Sequence, residues 1–246
     1  EAWGWRIPFL IGAGLALIVY VLRRRLAETA SFEAMAGTER PRSTILNLWR
    51  DHPRASILVA TITAGGSLAF YAYTTYMQKF LVNTTGFDRQ TATQVMTAAL
   101  VVFMLAQPVF GHFADRFGRK PMLLLFGFGA MATTVPAYTL IATAASPLTA
   151  FALITAMLMV LAAYTSISAL VKAELFPAHI RTLGVALPYA VANSLFGGTA
   201  EYAALFLKQQ GHESSFFWYV AGMCAVAGIA FLLLSETKRT SLIAQD

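Results

Sequence analysis

The chain has 246 residues, of which 57% are hydrophobic and only 12% charged, with a net charge of +6 and a mean hydropathy of +0.61. A water-soluble domain carries about 25% charged and 45–50% apolar residues, so this composition excludes an ordinary soluble domain and points to an integral membrane protein. Cys224 is the single cysteine, which excludes a disulfide framework or a thiolate metal site, and the four histidines lack ligand spacing.

In chain order, apolar runs fall at 5–22, 55–82, 91–112, 121–142, 147–171, 182–207 and 215–235. Crossing a hydrocarbon core of ~30 Å takes ~20 residues in a helix, and each run is near or above that length except the first, which looks clipped. Open sheet edges cannot be satisfied in lipid, so the runs read as helices. The expected fold is therefore all-α and polytopic, with seven transmembrane helices. The opening "EAWGWRIPFL" has neither an initiating Met nor the basic region of a signal peptide, and it reads as the middle of a longer protein.

After the first helix comes the polar, arginine-rich stretch 23–54, read as a linker between two halves of a larger body. Its pieces "RRRLAETASFEAM" and "RSTILNLWRDHP" suit short helices on the membrane surface with Trp49 at the interface, or a plain flexible loop. Six helices with short connections follow over 55–235, then a tail, 236–246. Pro108, Pro136 and Pro188 fall inside apolar runs, where each removes a helical N–H bond. Fourteen Lys and Arg residues lie on one side of the predicted membrane: seven in 23–54, then Arg116, Arg119, Lys120, Lys172, Arg181, Lys238 and Arg239. Arg6, Lys79, Arg89 and Lys208 lie on the other. The bias places the basic loops and the carboxyl end in the cytoplasm. It accounts for the net charge without a nucleic-acid partner.

Two loops carry patterned charge. "GHFADRFGRK" (111–120) fits G-x-x-x-D-[RK]-x-G-R-[RK] and joins the second and third helices counted from residue 55. "KAELFPAHIRTLG" (172–184) sets Glu174, Pro177, Arg181 and Gly184 in E-x-x-P-x-x-x-R-x-x-G. Pattern and position resemble the cytoplasmic loops of the major facilitator superfamily. Within it, "WGWRIPFLIG" (3–12), "FYAYTTYMQKFLVNT" (70–84), "YTSISALVKAELFPAHIR" (164–181) and "GGTAEYAALFLK" (197–208) resemble the proton-linked metabolite symporter family. That resemblance implies twelve helices in the complete protein. Residues 1–22 are then the last helix of an amino-terminal half whose other five helices are absent, and 55–235 the second half. It also implies a bacterial inner-membrane location and uptake of a dicarboxylate, α-ketoglutarate first, with a proton. Citrate, shikimate, proline or betaine stay open as substrates.

On this reading the charged loops form a latch that closes the cytoplasmic side. Gly111 lets a neighbouring helix approach, and Asp115 faces the positive end of a helix of the other half. Gly118 permits the tight turn. Arg116 or Arg119 pairs with Glu174, and Arg181 joins the network. Lys120 serves either the latch or simple anchoring.

Polar residues inside the apolar runs mark a transport pathway. Ser67, Tyr71, Thr75 and Gln78 recur on one helical face, with Lys79 next. Tyr189, Asn193, Gly197 and Glu201 recur every four residues, and Tyr164, Thr165 and Ser168 form a shorter patch. Lys79 and Glu201 have two readings: an ion pair with each other, or substrate contact by Lys79 and proton uptake by Glu201. The candidate substrate-binding set is Tyr71, Thr75, Gln78, Lys79, Tyr164, Asn193 and Glu201, and Lys172 is expected to snorkel to the cytoplasm. "GFGAMA" (127–132) lacks a preceding strand and is no dinucleotide fingerprint. No paired catalytic carboxylates or nucleophile elbow are present, so no catalytic residue, metal or cofactor is expected beyond a proton gradient. The expected partners are an organic acid, a proton, the lipid bilayer and the amino-terminal half. A seven-helix receptor or a membrane enzyme is the rival class, but a receptor has no need of the two loop patterns.

Overall fold

The computed structural model describes residues 3–24 and 44–236. The chain divides into two compact units, Glu1–Arg40 and Pro41–Asp246. The first contains a 3₁₀ turn, Gly4–Arg6, and helix α1, Ile7–Arg23, whose Pro8 sits in the first turn, where a missing N–H costs nothing.

The second unit begins with a short helix, α2 (Ile45–Asp51), capped by Thr44, whose Oγ1 accepts from Asn47 N at 3.2 Å. Leu48 of α2 is fully buried against Val59, Phe176 and Ile180, so this end of the predicted linker is docked on the helical body. The rest of the linker, 25–43, lies outside the described residues, as does the tail beyond Glu236. Then come α3 (Pro53–Asn83), α4 (Arg89–Phe117), α5 (Arg119–Ala142) and α6 (Pro147–Glu174). The path continues through α7 (Ala178–Ala192) and α8 (Ala200–Gln209) to α9 (Glu213–Leu233). Local chemistry sets the starts. Asp88 caps α4, accepting from Gln90 N at 2.9 Å and Thr91 N at 3.0 Å. Hydrogen bonds from Thr91, and then from Gln90, hold its carboxyl below the usual carboxylate range. Pro53 and Pro147 open α3 and α6, and Ser146 caps the latter.

Among the described residues five helices, α3, α4, α5, α6 and α9, are long and apolar enough to cross a membrane. The expected seven is not reached by that measure. Helix α1 has 17 residues, and the run 182–207 is not a single helix. There α7 gives way to a π turn at Asn193–Gly197 before α8 resumes. A second π turn, Ala72–Tyr76, interrupts α3. Such turns leave backbone groups without their usual partner, and the Ala72 carbonyl accepts from Tyr138 Oη at 2.7 Å.

The helices of the second unit run back and forth, so the starts of α3, α5 and α7 share one end with the close of α4, α6 and α9. This is the end that carries the patterned basic loops, the basic end below. Helix α9 packs on α5 and α3, α6 on α4 and α5, and α7 on α3. A Cβ on Gly127 would stand 2.5 Å from Gly228 Cα, so α5 and α9 touch backbone to backbone there. Near the opposite end the core is aromatic. Tyr138 stacks on Phe217 with centroids 4.4 Å apart, and Phe80 meets both rings edge-on.

Candidate functional site

A cavity of about 230 Å³ opens between α3, α6 and α7. Small-molecule pockets span ~300–1,000 Å³ for drug-sized ligands, so this space suits a small metabolite. Polar side chains in its lining are Tyr71 and Ser67 from α3, Thr165, Ser168 and Lys172 from α6, and Tyr189 and Asn193 on the α7 path. Tyr164 forms one wall, its ring stacked on Phe126 at 4.8 Å and its hydroxyl 3.4 Å from the Ile62 carbonyl. A Cβ on Gly66 would collide with that ring, which is why a glycine stands at this position.

Both π turns adjoin this space. Tyr71 precedes the first, Asn193 begins the second, and the Tyr71 ring lies on Gly197, where a Cβ would be 2.8 Å from Cδ2. Helix α6 is also uneven here. Its regular part ends at Thr165, and a short segment, Ser168–Glu174, resumes after one irregular turn. The Thr165 hydroxyl donates to Gln107 Oε1 at 3.0 Å, tying the break to α4.

Of the predicted substrate set, Tyr71, Tyr164 and Asn193 line the cavity. Thr75, Gln78, Lys79 and Glu201 do not. Gln78 Nε2 donates to Thr93 Oγ1 at 3.0 Å, which ties α3 to α4, and Thr75 is exposed. A π turn adds a residue to the turn it occupies, so the spacing that placed Ser67, Tyr71, Thr75 and Gln78 on one face does not hold through Ala72–Tyr76. Lys79 and Glu201 form an ion pair with each other, partly exposed, beyond the cavity toward the end opposite the basic loops.

Lys172 is the residue that sequence reasoning missed. It does not snorkel outward but is 3% exposed. Its ammonium lies 4.8 Å from the centre of the Tyr189 ring and 5.4 Å from that of Tyr164. Tyr164, Ser168 and Lys172 recur every four residues in the sequence, but the irregular turn after Thr165 separates Tyr164 from the other two, so spacing alone did not place them together.

At the basic end, Glu174 accepts a hydrogen-bonded ion pair from Arg119, with side chains 3% and 13% exposed. Arg119, not Arg116, takes this role; the Arg116 guanidinium sits 5.6 Å over the Phe117 ring. Arg181 reaches the same corner, where its Nε donates to the carbonyls of Ala173 at 3.2 Å and Phe176 at 3.1 Å. Gly118 turns the chain with φ 102°, a value that favours glycine. At Gly111 a Cβ would meet nothing within 4 Å in this unit. Gly111 is half-buried at the surface of this unit, whereas Ala114 points inward. Asp115 is exposed. Within this unit Glu236 accepts from Arg119 N at 3.0 Å and Lys120 N at 3.1 Å, at the positive end of α5. Lys120 Nζ donates to the Leu232 carbonyl at 2.8 Å, fastening the end of α9.

A third cluster closes the other end. Glu213 Oε1 accepts from Tyr76 Oη at 2.6 Å and Thr84 Oγ1 at 2.8 Å, and Lys208 lies 3.3 Å away. It joins α3, α8 and α9.

Residues 26–246 match the sugar (and other) transporter family. The chain is 50% identical over 232 residues to the alpha-ketoglutarate permease of Escherichia coli K12, covering 94% of this chain and 53% of that protein. It is 33% identical to the ectoine/proline transporter of Corynebacterium glutamicum, covering 99% of this chain and 50% of the relative. Against the citrate-proton symporter of Klebsiella pneumoniae it is 29% identical, covering 94% and 52%. The chain thus spans about half the length of the curated relatives it matches. No solved structure gives a significant match. Together with five helices of membrane-crossing length and the two loop patterns, these matches make this a multi-pass membrane chain that belongs to the sugar (and other) transporter family of the major facilitator superfamily.

Proposed function

We propose that this chain is the carboxyl-terminal half of a proton-coupled symporter for a dicarboxylate, with α-ketoglutarate as the substrate. The observation that carries the reading is identity at half of all aligned positions with an alpha-ketoglutarate permease across nearly the whole chain. A polar cavity inside an otherwise apolar bundle supports it. In the complete transporter, residues 1–22 are the last helix of the first half, 23–54 the central loop, 55–235 the second half and 236–246 a cytoplasmic tail. The site is read as Tyr71, Tyr164 and Asn193, with Ser168 and Thr165 beside them. It faces the amino-terminal half, which supplies the opposite wall, the substrate lies near the midplane, and the halves rock around it.

The chain's own residues fix the ends of that motion. Glu174, Arg119 and Glu236 hold α5, α6 and the end of α9 together as one body at the basic end. Asp115 and Arg116 are exposed at the same end of the unit. The Lys79–Glu201 pair stands at the opposite mouth as a gate element, with its two charges neutralising each other. By the basic bias of the loops, the end with Arg119 faces the cytoplasm of a bacterial inner membrane. The imposed proton gradient is the only energy source, and no covalent chemistry or cofactor takes part.

The test uses the complete transporter in proteoliposomes. With an inward proton gradient, labelled α-ketoglutarate accumulates above the external concentration, and an ionophore that collapses the gradient abolishes the accumulation. Accumulation of proline or betaine in place of the dicarboxylate would overturn the substrate assignment.

A further inference from the structure

We infer that Lys172 is the cation that receives one carboxylate group of the transported acid. The inference rests on the symporter reading above and gives its cavity a specific anion-binding residue.

Four lysines lie among the described residues, and three are already engaged. Lys79 is paired with Glu201, Lys208 with Glu213 and Thr84, and Lys120 with the Leu232 carbonyl. Lys172 differs from all of them. Its side chain is buried, it lines the polar cavity, and among the described residues no carboxylate stands within ion-pair distance. What holds it is aromatic. The faces of Tyr164 and Tyr189 attract the ammonium through their ring quadrupoles, but they supply no negative charge and accept none of its strong hydrogen bonds. A buried charge of this kind is costly unless something pairs with it. Two rings lessen the cost while leaving the three N–H donors for a ligand that enters the cavity.

The neighbours define that ligand. The hydroxyl of Ser168 and the amide of Asn193 line the same space and are able to donate hydrogen bonds, and among the described residues no acidic residue lines it. An acceptor-rich anion small enough for about 230 Å³ fits this set, and a carboxylate does so with two oxygens. A zwitterion would bring its own cation against Lys172, so the lysine also works against betaine-like substrates. The cavity offers one cation, so it takes one of the two carboxylates.

Helix geometry adds a consequence. Lys172 and Glu174 are two residues apart, about 200° around a helix at ~3.6 residues per turn. The short segment Ser168–Glu174 thus turns its cation to the cavity and its carboxylate to Arg119. Ligand binding at one face and the ion pair at the other act on the same rigid piece.

The complete transporter, purified in detergent, tests this by calorimetric binding of α-ketoglutarate. Lys172→Gln raises the Kd on the order of 100-fold, the effect of removing one partner of a buried charge pair. Lys172→Arg restores part of the affinity, and Lys79→Gln has a smaller effect than Lys172→Gln. On the wild-type protein, saturating α-ketoglutarate slows acetylation of the Lys172 amine, read by peptide mass spectrometry, more than that of Lys79. This second readout applies even where Lys172→Gln fails to fold. Unaltered affinity in Lys172→Gln, or full acetylation of Lys172 in the substrate-saturated protein, overturns the assignment while the symporter reading stands. A wild-type protein that binds betaine and not α-ketoglutarate overturns both.

Discussion

Gly66 shows how a single hydrogen atom shapes the cavity. Any side chain there meets the ring of Tyr164, which is buried and stacked on Phe126 and cannot swing aside freely. Gly66→Ala is expected to cost about 1–3 kcal/mol, the range for forcing a methyl group into a packed core. It should also weaken α-ketoglutarate binding, because the displaced ring is half of the cage around Lys172. A melting curve of the purified transporter checks the first effect, and calorimetry the second. An unshifted midpoint would mean that Tyr164 relaxes without cost. Tyr71, Tyr164 and Asn193 were singled out because hydroxyl and amide groups at helical spacing inside apolar runs either line a cavity or tie helices together, as Gln78 does. Lys172 was not, because its distance from the helix end fitted a snorkelling lysine equally well. Only the placement of Tyr189 from another helix closes the second wall around it.

Helix ends are where the elements are joined. Arg119 and Glu174 are both largely buried, so removing the arginine alone leaves a carboxylate without its countercharge. Arg119→Ala should destabilise the bundle by about 3–5 kcal/mol, whereas Arg119→Leu combined with Glu174→Leu should recover most of that loss. Unfolding in mixed detergent micelles measures both. Equal losses in the single and double variants would show that the pair is not what joins α5 to α6. The α4 cap behaves differently with pH. Asp88 has a folded pKa below its unfolded value of ~3.9. Its contribution is therefore present above that value and lost as pH falls through the folded pKa. The stability difference between wild type and Asp88→Asn should shrink as pH is lowered from about 5 to below 4. A difference independent of pH over that interval would exclude the charged cap. The loop pattern at 111–120 singled out Gly118 and Arg119, and it assigned Asp115 to a helix end of the other half. It did not announce that Glu236, 117 residues after Arg119, supplies a carboxylate to the start of α5. No local pattern reports contacts of such separation.

At the scale of the molecule, two tied ends enclose a polar middle. Glu213 gathers Tyr76, Thr84 and Lys208 at one end, and Glu174 and Glu236 gather the basic loop at the other. Both ties lie within this unit, so on the alternating-access reading proposed above it is expected to move as one body. If so, cysteines placed at Thr84 and Glu213 and cross-linked should leave transport by the complete protein close to wild type. A cross-link that stops transport would show that the half flexes internally.

Composition and periodicity alone determined that this chain is a helical membrane protein. They also located most of its helices, though not the break within 182–207 or the number long enough to span, and they showed which end carries the basic loops and which loop residues are patterned. These follow from local rules: a bilayer demands about twenty apolar residues and satisfied backbone groups, and positive charge accumulates on one side. Tertiary structure decided which charges meet. It paired Lys79 with Glu201, gave Arg119 rather than Arg116 to Glu174, interrupted two helices with π turns, and left Lys172 between two rings with no carboxylate beside it among the described residues. Those outcomes depend on the distance between side chains on different helices, which spacing along one helix does not contain.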